Sequence, residues 1–421
     1  MKLPSETAPM THRCRHCASP LTHTFCDLGT SPISNAFIRP ENVDRPEALY
    51  PLHVYVCGAC FLVQLPAVTS AGDNFHDDYV YFSSTSSSWL AHAEAYCRMM
   101  VSRFGLTGVS QVIEIASNDG YLLKNFKAMG IPVLGIEPTR NTAEFALRTH
   151  GIESLVRFFG RELAGELRDQ GRQADLVIGN NVLAHVPDLN DFVAGLAIVL
   201  RAEGVITMEF PHLLRLIEGV QFDTIYHEHY SYLSMIAVDR IFRSQGLCIF
   251  DVEALPTHGG SLRIFARHDG PASHSARPRV EAVLAAEEAA DLYDLATYGA
   301  FARRVEETKR ALLSFLIEAK RAGLRIVGYG AAAKGNTLLN YCGIRTDFVD
   351  FVVDKAPSKQ NRYLPGTRIP VYAPEKLYAA RPDLVLILPW NIQAEIIEQL
   401  AGIREWGGRF LVPIPSVQVI A

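Results

Sequence analysis

The sequence predicts an α/β protein with two doubly wound sheets in series behind a small cysteine-rich unit. A short apolar strand, 111–115 (QVIEI), runs into a small-residue turn and then a helical stretch. The same pattern returns at 325–336, RIVGYGAAAKGN. Five of the eight cysteines (Cys14, Cys17, Cys26, Cys57 and Cys60) precede both. At 421 residues the chain exceeds one ordinary core. Three units are expected: 1–72, 73–270 (opening with an aromatic linker and helix over 73–100) and 271–421.

The charge of −5 argues against a nucleic-acid partner, which needs a basic face. No apolar run is long enough to span a membrane, and the first residues carry no apolar signal core. A cytoplasmic monomer or weak dimer is the default expectation.

Cys14-Arg-His-Cys17 and Cys57-Gly-Ala-Cys60 are two CxxC knuckles. In a cytoplasmic chain such pairs favour metal over disulfides, and four thiolates suit one tetrahedral Zn²⁺. Four protein ligands leave no open position, so the zinc is expected to be structural. Cys26 or His16 stays open as a replacement ligand. Residues 49–56 alternate like a strand leading into the second knuckle.

In the middle unit, Glu114 lies near the end of the first strand, and Ala116-Ser-Asn118-Asp119-Gly120 forms the turn. A second strand, 133–137, ends in Glu137, placed for ribose hydroxyls. A third, 174–179, reads as a buried parallel strand closed by Asn180-Asn181; a helix at 189–200 and a strand at 204–210 follow. The turn lacks the GxGxxG spacing of a pyrophosphate site, so adenosine without phosphate fits better than a dinucleotide. A sheet with no ligand stays open. The pattern E-I-A-S-N-D-G…G-I-E-P resembles the first two motifs of class I methyltransferases. That implies S-adenosylmethionine contacts at Glu114, Ala116, Asn118, Asp119, Gly120 and Glu137, with Asn180 and Asn181 beside them. It departs at Ala116, where glycine is usual; alanine fits there with a negative φ.

The densest polar segment is 222–232, FDTIYHEHYSY. Tyr226, His227, Glu228 and His229 are hard to bury without partners. Facing a pocket, they supply a base near neutral pH and phenol donors for an oxyanion, which suits proton abstraction beside a carbonyl. His185 adds a second histidine on a helix after the third strand. The two histidines of His-Glu-His share one face only in a strand, which weakens a metal reading without closing it. Upstream, the aromatic stretch 75–84 reads as a lid or a tie between domains.

Residues 280–322 read as a helical connector. Beyond it, Lys334 at a helix start makes an anion site. Strands are expected at 348–354 and 384–388. The Gly-Tyr-Gly turn invites NAD but lacks the third glycine; the diphosphate or sugar of a sugar nucleotide is the preferred ligand.

The order of the paired CxxC knuckles, E-I-A-S-N-D-G, N-N-V-L-A-H, Y-H-E-H, T-H-G-G-S, G-Y-G-A-A-A-K-G-N and P-W-N resembles the NDP-sugar C-methyltransferases of branched deoxysugar biosynthesis along nearly the whole chain. The resemblance implies a zinc-binding domain, a central S-adenosylmethionine domain and a C-terminal Rossmann-like domain. It implies methylation at C3 of a TDP-, GDP- or CDP-linked 4-keto-6-deoxyhexose. His229 would then be the base; Tyr226, Glu228, His185 and Tyr79 would line the reacting sugar. Tyr81, His227, His258, Lys334, Asn336, Arg362, Trp390 and Asn391 are expected on the remaining substrate. Position 227 is His where antibiotic-sugar members tend to carry Asp, which leaves the particular sugar open.

Overall fold

The computed structural model describes residues 12–68, 70, 72, 82–270 and 277–421; Tyr79 and Tyr81 lie outside them. Among the described residues the chain forms three sheets. Its strands are β1 (His23–Ser31), β2 (Tyr50–Val56), β3 (Val63–Gln64), β4 (Val112–Ile115), β5 (Val133–Ile136), β6 (Ser154–Leu155), β7 (Ala174–Asn180), β8 (Leu200–Pro211), β9 (Ser231–Tyr232), β10 (Leu247–Leu255), β11 (Ser261–His268), β12 (Ile326–Tyr329), β13 (Val352–Val353), β14 (Arg362–Tyr363), β15 (Pro370–Tyr372), β16 (Leu384–Ile387), β17 (Arg409–Val412) and β18 (Gln418–Ile420).

The central sheet has the order β10-β11-β8-β7-β4-β5-β6. Strands β4 to β8 pair in parallel, and β11 and β10 close one side antiparallel. This is the class I methyltransferase arrangement. Its central strands are buried, β4 throughout and β7 over 176–179, as the apolar runs VIEI and LVIG require. Ser86 starts the helix Ser87–Phe104 by accepting from the Trp89 amide, and left-handed Gly105 ends it. Asp188 starts Leu189–Val199 in the same way.

The C-terminal sheet, β14-β15-β13-β12-β16-β17-β18, is parallel at its centre with antiparallel edges. The strand expected over 348–354 is only Val352–Val353. The connector is two helices, Pro278–Ala289 and Leu295–Arg321, and not one. Asp291 takes φ 56°, and Asp294 caps the second helix by accepting from the Ala296 amide. The second helix seats Phe301 on Phe25 of β1, with stacked rings 4.5 Å apart. That contact belongs to one apolar core running from β1 and β2 into the C-terminal sheet.

The N-terminal sheet is antiparallel, β1-β2-β3-β9. Its fourth strand comes from the histidine-rich segment, so the cysteine-rich unit is paired directly to that segment. No helix among the described residues is long and apolar enough to cross a membrane.

Candidate active site and zinc site

A cavity of about 490 Å³ opens between the ends of the central strands and the C-terminal sheet. The central sheet contributes Ala116, Asn118, Glu137, Asn180 and Asn181, the polar segment Tyr226, Glu228 and His229, and the C-terminal unit Lys334 and Lys359; His185 and His258 also line it. Ligands in open α/β sheets bind at this end of the strands.

The turn after β4 is tightly wound, with Ala116, Asn118 and Gly120 all left-handed (φ 55°, 49° and 76°). The negative φ expected of Ala116 is therefore not what the chain adopts. The conformation strains any residue with a Cβ and explains why glycine suits this position. Glu137, at the tip of β5, accepts from the Asn118 amide and from the amide and hydroxyl of Thr139, at 2.8, 2.8 and 2.5 Å. Burial pushes its carboxyl up against these bonds. Asn180 has neither amide atom paired among the described residues. An acid fixed beside the turn and an unpartnered amide in the same wall fit an adenosyl ligand.

Three cofactor residues expected from the sequence fall outside the wall. Glu114 is buried, and burial followed by the charges of Asp119 and Glu137 drives its carboxyl far up. Asp119 accepts from the Ser84 amide at 3.0 Å. Gly120 closes the turn on the Ser117 carbonyl. These residues shape the turn.

His229 donates from Nδ1 to the Thr224 carbonyl at 2.8 Å. That bond puts the ring proton on Nδ1 and the lone pair on Nε2. Burial, then the neighbouring His185, hold its pKa well below the usual histidine value, so the ring is neutral. The Tyr226 ring lies 4.0 Å from it and His185 4.6 Å, centre to centre. His185 itself is lowered to about 4, chiefly by burial. It sits on a single 3-10 turn, Leu183–His185, and not on the helix expected there.

His258 is left-handed (φ 54°), stands 5.3 Å from the Trp89 ring, and accepts on Nε2 from the Asn181 amide at 3.0 Å. Lys334 donates to Asn391 at 2.7 Å and lies over the Trp390 ring at 4.6 Å. Trp390 in turn donates to buried Asp223 at 2.7 Å. Asn391 and Trp390 thus hold Lys334 from outside the wall.

His227, Asn336 and Arg362 are not in the wall. His227 is buried and donates to the Pro51 carbonyl at 3.2 Å beside Tyr50. It faces the N-terminal sheet because it stands on a tight turn, closed by the His229 amide on the Tyr226 carbonyl at 2.9 Å, and not in an extended strand. Asn336 donates to the Ser34 carbonyl at 2.6 Å. Arg362 lies in edge strand β14 against β15. The wall also holds residues the sequence did not flag: Asn35, Trp89, Tyr121 and Lys359. Only chain folding brings them there.

Away from the cavity, the Sγ atoms of Cys14, Cys17, Cys57 and Cys60 all lie within 4.8 Å of one another. Tetrahedral Zn–S bonds of about 2.3 Å require sulfurs about 3.8 Å apart. The pairs Cys14–Cys60 and Cys17–Cys57 stand at 3.5 Å. Gln64 and the Ala59 amide donate to two of the sulfurs. Cys26 is outside the cluster, and His16 bonds Asn190. The set fits structural zinc.

Three family models match the chain. Residues 14–75 match a zinc binding domain family, 89–251 a methyltransferase domain, and 256–415 a C-methyltransferase C-terminal domain. The chain is a zinc-binding, S-adenosylmethionine-dependent methyltransferase. It is 35% identical over 408 residues to C-methyltransferase NovU of Streptomyces niveus, spanning 97% of this chain and 96% of that protein, and so belongs to the C-methyltransferase family. A ubiquinone biosynthesis O-methyltransferase of Sinorhizobium medicae is 32% identical over 27% of the chain and 45% of its own length. The magnesium protoporphyrin IX methyltransferase of Synechocystis PCC 6803, solved with bound SAM, aligns with 43% of this chain and 79% of its own at 15% identity and a TM-score of 0.33.

Proposed function

We propose that the chain methylates the carbon beside the keto group of a nucleotide-linked 4-keto-6-deoxyhexose, at C3, in the cytoplasm. The observation that carries this reading is the neutral His229, its proton fixed on Nδ1 by the Thr224 carbonyl inside the shared cavity.

S-adenosylmethionine supplies an electrophilic methyl group; Glu137, Asn118 and Asn180 would hold its adenosyl part. The rest is done by the chain's own groups. The keto group acidifies the C3 hydrogen, and His229 Nε2 removes it. The phenol of Tyr226 donates to the developing enolate oxygen. Glu228 and His185 orient the ring. Lys334 and Lys359 line the C-terminal side of the same cavity and suit the diphosphate. Holding both substrates in one cleft replaces an encounter in solution.

The test is turnover of thymidine-, guanosine- and cytidine-linked 4-keto-6-deoxyhexoses by His229→Ala. Loss of about 100- to 10,000-fold in kcat is expected, with S-adenosylmethionine affinity kept. Deuterium wash-in at C3 should vanish with it. Unchanged turnover, or methylation at oxygen without wash-in by the intact enzyme, would sink the reading.

A further inference from the structure

Among the described residues lining the cavity, one belongs to the cysteine-rich unit: Asn35. Its Nδ2 donates to Glu228 Oε1 at 2.6 Å, across 193 positions of sequence. Glu228 is itself 2% exposed and lies in the same wall. A buried carboxylate on a flexible stem gains a fixed orientation from a short charge-assisted bond.

The loop that carries Asn35 is held from the C-terminal unit. Asn336 donates to the Ser34 carbonyl at 2.6 Å. Ile38 exchanges backbone bonds with Tyr363 at 2.9 and 2.8 Å. The helix that supplies Asn336, Ala333–Cys342, also supplies Thr337, whose hydroxyl donates to the Ile225 carbonyl at 2.8 Å. Ile225 directly precedes Tyr226. One helix therefore fixes both the loop bearing Asn35 and the segment bearing Glu228. Both of its anchoring side chains are buried. On the other flank, β3 pairs with β9 just past His229.

We infer that Asn35 is a positioning residue: it holds the Glu228 carboxylate against the sugar, and so makes the zinc-bearing unit part of the active site. The inference rests on the reading of Glu228 as a sugar contact. It also gives Asn336 a task, since that buried amide anchors the loop that delivers Asn35.

The experiment is a double-mutant cycle on the zinc-loaded full chain, with whichever sugar nucleotide the wild type turns over. In Asn35→Ala and near-isosteric Asn35→Leu, kcat/KM for the sugar should fall about 10- to 100-fold. Zinc content and the Kd for S-adenosylmethionine should stay at wild-type values. In a Glu228→Ala background the same substitutions should cost less than about twofold, because the partner is gone. Losses that multiply in the double variant overturn the inference, as do single variants within about threefold of wild type. Zinc lost together with activity would assign Asn35 a structural task and overturn it too. Wild-type turnover by Glu228→Ala would instead sink the reading of the site beneath it.

Discussion

Ala116 follows β4 and Gly330 follows β12 at the same place in two similar units, and both are left-handed, at φ 55° and 86°. In each unit an acid at the end of the neighbouring strand accepts from the turn. Glu137 takes the Asn118 amide at 2.8 Å, and Asp354 takes the Ala331 amide at 2.7 Å. The difference is what stands over the turn. Ala116, Asn118 and Glu137 face the cavity. Over Gly330 sits Pro389, so close that a Cβ there would lie 2.5 Å from its Cδ. Asp354 is outside the wall, takes a second amide from Ala356 at 2.8 Å, and lies 3.7 Å from Lys359. At Ala116 the turn is open to a ligand; at Gly330 it is filled by Pro389, and this second unit reaches the cavity only further along, at Ala332, Ala333 and Lys334. The strand–turn–helix pattern therefore makes a scaffold, and the residue above the turn decides whether it becomes a binding site.

The sharpest way to break this comparison is Gly330→Ala. A side chain there meets both the left-handed penalty and the proline ring, so a loss of about 3 kcal/mol in stability is expected, read by denaturant unfolding. A loss under about 1 kcal/mol would mean Pro389 is no stopper. Next come the two acids. If Glu137 holds the adenosyl part as proposed, Glu137→Gln should weaken S-adenosylmethionine about tenfold. Asp354→Asn should leave that affinity within about twofold. Calorimetric titration of both variants checks the pair, and equal losses would erase the distinction.

How much of this was legible follows from where the information sits. Strands β4, β5, β7, β12 and β16 could be read because buried parallel strands are apolar runs. The two-residue strands β6 and β14 could not, since very short strands leave little periodic signal; the β10–β11 hairpin was also missed, and β13 was read over 348–354, longer than its two residues. The connector looked like one helix because its break depends on Asp291 and Asp294, which sit in an otherwise helical composition. In the site, Tyr226, Glu228 and His229 stood out because so much polarity is crowded into one segment. Asn35 gave no signal, because its meaning lies in a carboxylate 193 positions away. His227 and Asn336 were read as contacts since sequence names a residue type but not the side it turns to.

The bond from Trp390 to Asp223 joins the C-terminal unit to the histidine-rich segment, and this joint has its own pH signature. Burial raises the Asp223 carboxyl to about 6, although Lys334 and the Trp390 N–H pull it down. A carboxyl raised on folding stabilises the fold most below its unfolded pKa, near 4, and that contribution is lost as pH climbs through about 6. From this group the chain should lose about 1–2 kcal/mol between about pH 5 and pH 8. Asp223→Asn keeps an acceptor for Trp390 but cannot titrate. Its unfolding free energy should be flatter over that window, and identical slopes in the two proteins would show that the joint does not titrate there.

The smallest effect belongs to the position that departs from its family's habit. Ala116 sits in a left-handed conformation that costs an alanine about 1 kcal/mol, and glycine would remove that strain. Glycine also gains freedom in the unfolded chain, which offsets roughly 0.4–1 kcal/mol. Ala116→Gly should therefore change stability by less than about 1 kcal/mol, whereas the reverse exchange at Gly330 costs several times more. Because Ala116 lines the cavity, its methyl can touch the ligand, and loss of one such contact should shift S-adenosylmethionine affinity by no more than about threefold. A large gain in stability would mean the open turn is held under more strain than its filled counterpart. A large loss of affinity would mean this methyl, not the backbone around it, shapes the adenosyl site.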